Sequence, residues 1–262
     1  MRHPYVGDVG DYGKYGLLRV VGGNPGGVRL GVVWYLTDAQ EHNNDGKHDG
    51  YLKKGSRRDR ESFRRCDPAL YDRIGEIRQN TRLDLNMVED GTVLPQNTIF
   101  YNPPVPAFQG RVSKEEEYKQ RWDRRNEWHT EAIRAVGKAR CVFTDADNGI
   151  IFTERSTIAR RKPSHKHSYW HEIADYLTRN QNVIAYHHLG RQKGGHEAHI
   201  AECLGKLASV GFDAWAIHYR RGTARTFIVI PMAGDRDLLR ERSEQYVSTW
   251  KSHAALIDRR RS

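Results

Sequence analysis

A chain of 262 residues suits one large domain or at most two small ones. Its mean hydropathy of −0.81, with no run near the roughly 20 apolar residues needed to span a bilayer, excludes a membrane-spanning helix. Lys and Arg number 43 against 33 Asp and Glu, a net charge of +10, and a basic balance of this size points to a polyphosphate partner.

The first helix is expected over residues 14–21, following a segment dense in Gly, Asp and Tyr from Tyr5 to Gly13. The first strand is expected over residues 29–36 and empties into the polar run Thr37 to His48. A loop over 41–55 leads to a helix over 68–79, whose start is marked by Asp67-Pro68. A strand at 98–101 and a loop at 103–113 precede a long helix at 114–136. The apolar run Cys141-Val142-Phe143-Thr144 reads as a buried strand, followed by a basic, hydroxyl-rich loop over 153–168. A helix at 170–180, a strand at 182–186 and a helix at 196–210 come next. Strands at 212–219 and 224–231 lie close enough to pair as a hairpin around Arg221-Gly222-Thr223, and a last helix is expected over 236–257.

Strands alternating with helices predict an α/β fold. A mostly parallel, Rossmann-like sheet in three layers is expected, with a C-terminal antiparallel hairpin, as a single domain over residues 1–262. No internal repeat or low-complexity linker divides the chain. Met1-Arg2-His3-Pro4-Tyr5 lacks the apolar stretch of a signal peptide. Cys66, Cys141 and Cys203 form no C-x-x-C pair, which suits a reducing compartment. A cytoplasmic protein without membrane contact is therefore expected.

In such folds the chemistry sits where strands end. Asp145-Ala146-Asp147-Asn148-Gly149 follows a buried strand. Asp145 and Asp147 can orient water or stabilise a cation, and Asn148 offers a donor and an acceptor to a base edge. Asp38, at the end of the first strand, is a second candidate carboxylate, with Asn43 and Asn44 beside it to bind substrate. No glycine precedes Gly46 there, unlike the turn that admits a dinucleotide or adenosyl group, so no cofactor is expected. His187 and His188 end a later strand, and adjacent strand residues face opposite ways, so at most one of the two is expected in the site. Tyr35 or Tyr186 could stack on a base, and Asp11 and Lys14 could hold substrate from the N-terminal segment. Arg155, Arg160, Arg161, Lys162, Lys166, Arg191 and Lys193 are candidate phosphate contacts for nucleic acid, DNA first. His165, His167, His171, His196 and His199 match no metal-ligand spacing, so no metal is expected.

Gly7-Asp8-x-Gly10-Asp11-x-x-Lys14-Tyr15-Gly16-Leu17-Leu18-Arg19, Trp34-Tyr35-Leu36 with His42-Asn43-Asn44-Asp45-Gly46-Lys47-His48, and Asp145-x-Asp147-Asn148-Gly149 together resemble a widespread, poorly annotated bacterial family. Two remoter likenesses bear on its chemistry. The N-terminal Gly-Asp-x-x-Asp-x-x-Lys order, and an Asp-led turn at Asp145 to Asn148, are similar to adenine-specific ribosomal RNA methyltransferases. The Pro-Pro-aromatic of their turn is absent at that position. Asn102-Pro103-Pro104 carries the prolines elsewhere, followed by Val105 in place of the aromatic. The order Asp38, Asn148, His187 resembles the layout of the uracil-DNA-glycosylase superfamily, without its Gly-Gln-Asp-Pro-Tyr and His-Pro-Ser motifs. That resemblance implies a hydrolase of the base excision kind, a DNA glycosylase, with antiviral defence against phages carrying modified bases as a natural role. The alternatives are a divergent S-adenosylmethionine-dependent nucleic-acid methyltransferase and a non-catalytic nucleic-acid-binding protein.

Overall fold

Runs rich in Val, Ile, Phe and Trp form strands because branched and aromatic side chains fit a pleated surface covered on both sides. The computed structural model describes residues 1–23, 26–37, 48–53, 56–107, 115–152 and 164–258. Among them β1 (Leu30–Val33), β2 (Ile99–Tyr101), β3 (Cys141–Thr144), β6 (Asn182–His188), β7 (Trp215–Tyr219), β8 (Arg225–Ile230) and β9 (Ala254–Ile257) make one sheet. The strand order is β2-β1-β3-β6-β8-β7-β9. The pairs β2–β1, β1–β3 and β3–β6 are parallel. The pairs β6–β8, β8–β7 and β7–β9 are antiparallel. The sheet is therefore mixed, with a parallel half and an antiparallel half. Two short strands, β4 (Gly149–Ile151) and β5 (His167–Tyr169), pair in parallel beside it.

Helices cover both faces. Against one lie α1 (Val9–Gly22), α4 (Pro68–Ile77) and α9 (Arg236–Thr249), and against the other α6 (Glu115–Ala135), α7 (Trp170–Thr178) and α8 (Gly195–Ser209). Period-two alternation sorts the strand side chains between them. Ile184, Tyr186, Phe227 and Tyr219 pack on the α1 side, and Val183, Ala185, Ile228 and Ala216 on the α6 side. No described helix is long and apolar enough to cross a membrane.

Local chemistry sets the boundaries. Asp8 accepts from the Asp11 N–H at 2.8 Å and caps α1, so this helix begins five residues earlier than its apolar periodicity suggests. Asp67 caps α4 in the same way, with Pro68 in its first turn. The charged α3 (Arg57–Arg64), capped by Ser56, has Phe63 as its buried residue and too weak an apolar pattern to be read in advance. The single helix expected over 236–257 is corrected. It ends at Thr249, Trp250 is buried behind it, and the chain returns as the edge strand β9. The expected loop over 153–168 already turns into β5 at His167, while residues 153–163 lie outside the described residues.

Candidate active site

Gly10, Gly13 and Gly16 lie on one face of α1. A Cβ at each would run into Arg225, Tyr219 and Trp250 respectively. The glycines let this helix sit almost on the sheet, which brings Asp11 and Lys14 to the carboxyl end of β3. Lys14 is 3% exposed. Its Nζ donates to Asp145 Oδ2 at 2.7 Å and contacts Asp11 Oδ1 at 2.7 Å. Asp11 also accepts from the Tyr15 hydroxyl at 2.8 Å. Burial works against the lysine's charge, but the two carboxylates outweigh it and hold its pKa up. Burial raises both aspartates, against the pull of Lys14.

Two residues on, Asp147 meets the Met1 amino group at 2.7 Å and Arg2 at 3.7 Å. Burial pushes its pKa up, yet the Met1 ammonium, Arg2 and Lys166 prevail, and the carboxyl titrates below its usual range. Asp147 is thus an ionised carboxylate, and its side chain keeps 15% of its surface exposed. It opens on a cleft of about 310 Å³, together with Asp8, Asp11, Lys14, His48, Asp145, Asn148, Lys166, Tyr186, His188 and Arg225. Gly149, at φ +84°, turns the chain out of this cleft and lies too close to His187 to carry a side chain.

Alternation along β6 decides which histidine enters. Tyr186 and His188 share the α1 face and line the cleft. His187 points to the other face, and its placement in the site is corrected. Its Nδ1 accepts from the Ile150 N–H at 3.1 Å, and its Nε2 lies 3.1 Å from His199 Nε2 and 3.6 Å from Cys203 Sγ. Burial and the neighbouring His199 bring its pKa down to about 3. His188 is half-buried, and burial followed by Arg225 lowers its pKa, so it is neutral at pH 7.

Tyr35 is also corrected as a stacking residue. It is fully buried on the α6 side, and its hydroxyl donates to Glu172 at 3.2 Å. Glu172 is clamped by Arg125 at 2.6 and 2.9 Å. Burial alone would raise the glutamate, but Arg125 brings it down to about 2. This pair braces the ends of β1 and α7 behind the site.

The structure therefore gathers Asp11, Lys14, Asp145, Asp147, Asn148, Lys166, Tyr186 and His188 around one cleft. Arg191 and Lys193 are exposed before α8 and do not line it. Asp38, Asn43, Asn44, Arg155, Arg160, Arg161 and Lys162 lie outside the described residues. Arg225 and Asp8 line the cleft without having been expected there. Asp8 was legible as the cap of an Asp-x-x-Asp helix start, whereas a single arginine in a strand carries no pattern.

His187, His199 and Cys203 are the one group among the described residues whose ligand atoms could converge on a metal ion. The hydrogen bond from Ile150 N–H leaves the neutral His187 ring with its proton on Nε2, the atom that would have to coordinate. Metal-bound histidines instead donate from their second nitrogen, and His199 Nδ1 is buried with no partner among the described residues. The trio suits a hydrogen-bonded core better than a metal centre. No protein-family model, curated protein or solved structure matches the chain.

Proposed function

We propose that the cleft is the active site of an enzyme that hydrolyses the N-glycosidic bond of a nucleobase in nucleic acid, with DNA the first substrate to test. The observation that carries the reading is Asp147, an ionised carboxylate open to the cleft, beside Asn148 and facing the β6 residues Tyr186 and His188. As the bond between sugar C1′ and the base nitrogen breaks, its electron pair leaves with the base and C1′ becomes cationic. The Asp147 carboxylate stabilises that cation and orients a water, whose oxygen adds to C1′ while its proton passes through Asp147 to solvent. Neutral His188 donates a hydrogen bond to the departing base, and Asn148 reads its edge. Tyr186, 8% exposed and with Arg225 over its ring, forms part of the cleft wall rather than stacking on the base. Asp145 and Asp11 serve to hold Lys14.

Helices on both faces, with the cleft at the carboxyl ends of β3 and β6, support a Rossmann-like layering in which β7 and β8 form the C-terminal hairpin. The free cysteines accord with a reducing, cytoplasmic setting, and the net charge of +10 with a nucleic-acid partner.

The test is mass spectrometry of what leaves DNA, unmodified or carrying modified bases, after incubation with the protein. Free base and alkali-sensitive strand breaks are expected. Asp147→Asn should slow release by about 100-fold or more, and failure to release any base from the whole panel removes the reading.

One observation favours a second reading. Lys14 and Asp145, in contact at 2.7 Å, join the two segments that resemble adenine-specific methyltransferases. The end of β1 does not fit their cofactor, however. Trp34 and Tyr35 fill it with buried side chains, and Tyr35 takes φ +46° where a glycine would serve. No methyl-transfer step is derived. Calorimetry with S-adenosylmethionine separates the two, since saturable binding would displace the hydrolase.

A further inference from the structure

One deeply buried cation of the cleft has no carboxylate in contact with it. Arg225 is 7% exposed, yet among the described residues no ion pair reaches it. Its Nε donates to the Thr223 carbonyl at 3.1 Å and its Nη2 to Thr223 Oγ1 at 2.8 Å. Nη1 has no hydrogen-bond partner among the described residues and is not sealed from the cleft. The other buried cations differ. Lys14 holds two aspartates and Arg125 holds Glu172. Against the effect of burial, Asp8 and Asp11 act on the Arg225 guanidinium through space and help to hold its pKa up. Neither reaches it as an ion pair, and a buried cation without a direct partner is costly.

The surroundings fix the fork rather than neutralise it. One side of the guanidinium lies against Gly10, where any Cβ would overlap it. The other lies over the Tyr186 ring, 5.8 Å from its centre. Arg225 pairs with His188 across the β6–β8 ladder, and directly opposed residues project to the same face. Thr223 Oγ1 accepts from Arg225, so its own proton is free to donate outward. Lys166 lines the same cleft. Donors from β8, the turn before β8 and the residue preceding β5 line one cleft, with the arginine fork fixed by Thr223. That set suits the tetrahedral array of oxygens on a phosphate, in a diester or a monoester, better than the planar pair of a carboxylate.

We propose that Arg225, with Thr223 and Lys166, forms a phosphate-binding subsite in the cleft, held open by the absence of a side chain at Gly10. It would take a phosphate of the nucleic-acid backbone or of a free nucleotide. The inference goes beyond the hydrolytic reading and does not depend on which bond is broken.

The test titrates inorganic phosphate into the full chain by calorimetry at low ionic strength, then repeats it with deoxyadenosine monophosphate, deoxyadenosine and a short single-stranded oligonucleotide. Phosphate should saturate one site, and the monophosphate should bind more tightly than the nucleoside and compete with phosphate. An oligonucleotide that competes more strongly than the monophosphate identifies the backbone as the source, and the reverse identifies a free nucleotide. Arg225→Gln should weaken phosphate binding by about tenfold or more, and Arg225→Lys by less, because a point charge replaces the fork. Phosphate should raise the melting temperature of the wild type and of the exposed control Arg220→Gln, but not of Arg225→Gln. If Arg225→Gln does not fold, Arg225→Lys carries the comparison. No saturable phosphate binding by the wild type, or unchanged affinity in the folded Arg225 variants, overturns the subsite. Phosphate binding without base release would remove the hydrolase and leave the subsite standing. Base release without phosphate binding would do the opposite.

Discussion

Lys14 keeps its charge where water barely reaches, because Asp11 and Asp145 each approach it to 2.7 Å. Removing one member of such a set leaves the others charged, buried and short of a partner. Lys14→Met is therefore expected to lower the unfolding free energy by about 3–5 kcal/mol, read from urea denaturation, with Asp145→Asn smaller because the amide can still accept from the lysine. His187 sets a pH dependence. Its pKa falls from 6.5 to about 3 on folding, so on acidification the unfolded chain takes up the proton first. The stability it permits is complete above about pH 6.5 and is lost progressively as pH falls toward 3. His187→Asn preserves an acceptor for the Ile150 N–H but cannot titrate. Its melting temperature should fall less steeply between pH 6.5 and 4 than the wild type's, and parallel curves would count against this account. At this scale the sequence was partly legible. An acidic turn after an apolar strand marked Asp145, Asp147 and Asn148, and the two-residue period of β6 allowed at most one histidine to enter. Which one entered depended on the phase of β6 against α1, and that phase is fixed by distant packing.

In α1 the motif Gly10-Asp11-Tyr12-Gly13-Lys14-Tyr15-Gly16 serves two purposes. Its aspartate and lysine face the site, as the residue types suggested. Its glycines instead admit the side chains of Arg225, Tyr219 and Trp250, a packing role that the sequence did not distinguish from ligand binding. Gly13→Ala would gain about 1 kcal/mol of helix propensity but drive a methyl group into the Tyr219 ring, an overpacking cost of about 1–3 kcal/mol. A net loss of stability is expected. Gly205, in α8, has nothing within 4 Å of where a Cβ would stand. Gly205→Ala should raise stability by roughly 0.5–1 kcal/mol. Opposite signs for the two substitutions in one denaturation series test the close-approach argument; equal signs would defeat it. Strands with unbroken apolar runs were found near their expected bounds, Cys141 to Thr144 among them, because burial on both faces leaves a plain signature. The helix expected to continue through Ile257 was not, since the apolar residues after Trp250 are equally compatible with the edge strand they form.

The whole molecule wraps two apolar clusters, one on each face of the sheet. Alternation of strands and helices announced that layering. The insertion of β8 between β6 and β7 was beyond reach, because pairing partners are chosen by the assembled sheet. Thiol chemistry reports on this organisation. Cys141 is fully buried in β3, and Cys66 is only partly covered, its thiol pushed by burial and by Asp67 up to about 12. A thiol reagent at pH 8 should modify Cys66 slowly and first, and should reach Cys141 only at the rate of global unfolding. Labelling of Cys141 that outpaces loss of the circular dichroism signal would show that the central strands open separately. The same sheet joins early and late parts of the chain. The Tyr219 hydroxyl donates to the Val9 carbonyl at 2.9 Å and the Tyr246 hydroxyl to that of Gly13 at 3.0 Å, spanning 210 and 233 positions. On the ribosome, α1 must therefore wait for Tyr219, Tyr246 and Trp250 to emerge before its grooves are filled. Until then its glycine-lined flank has nothing to grip, so the two ends of this fold must be made before either is fully packed.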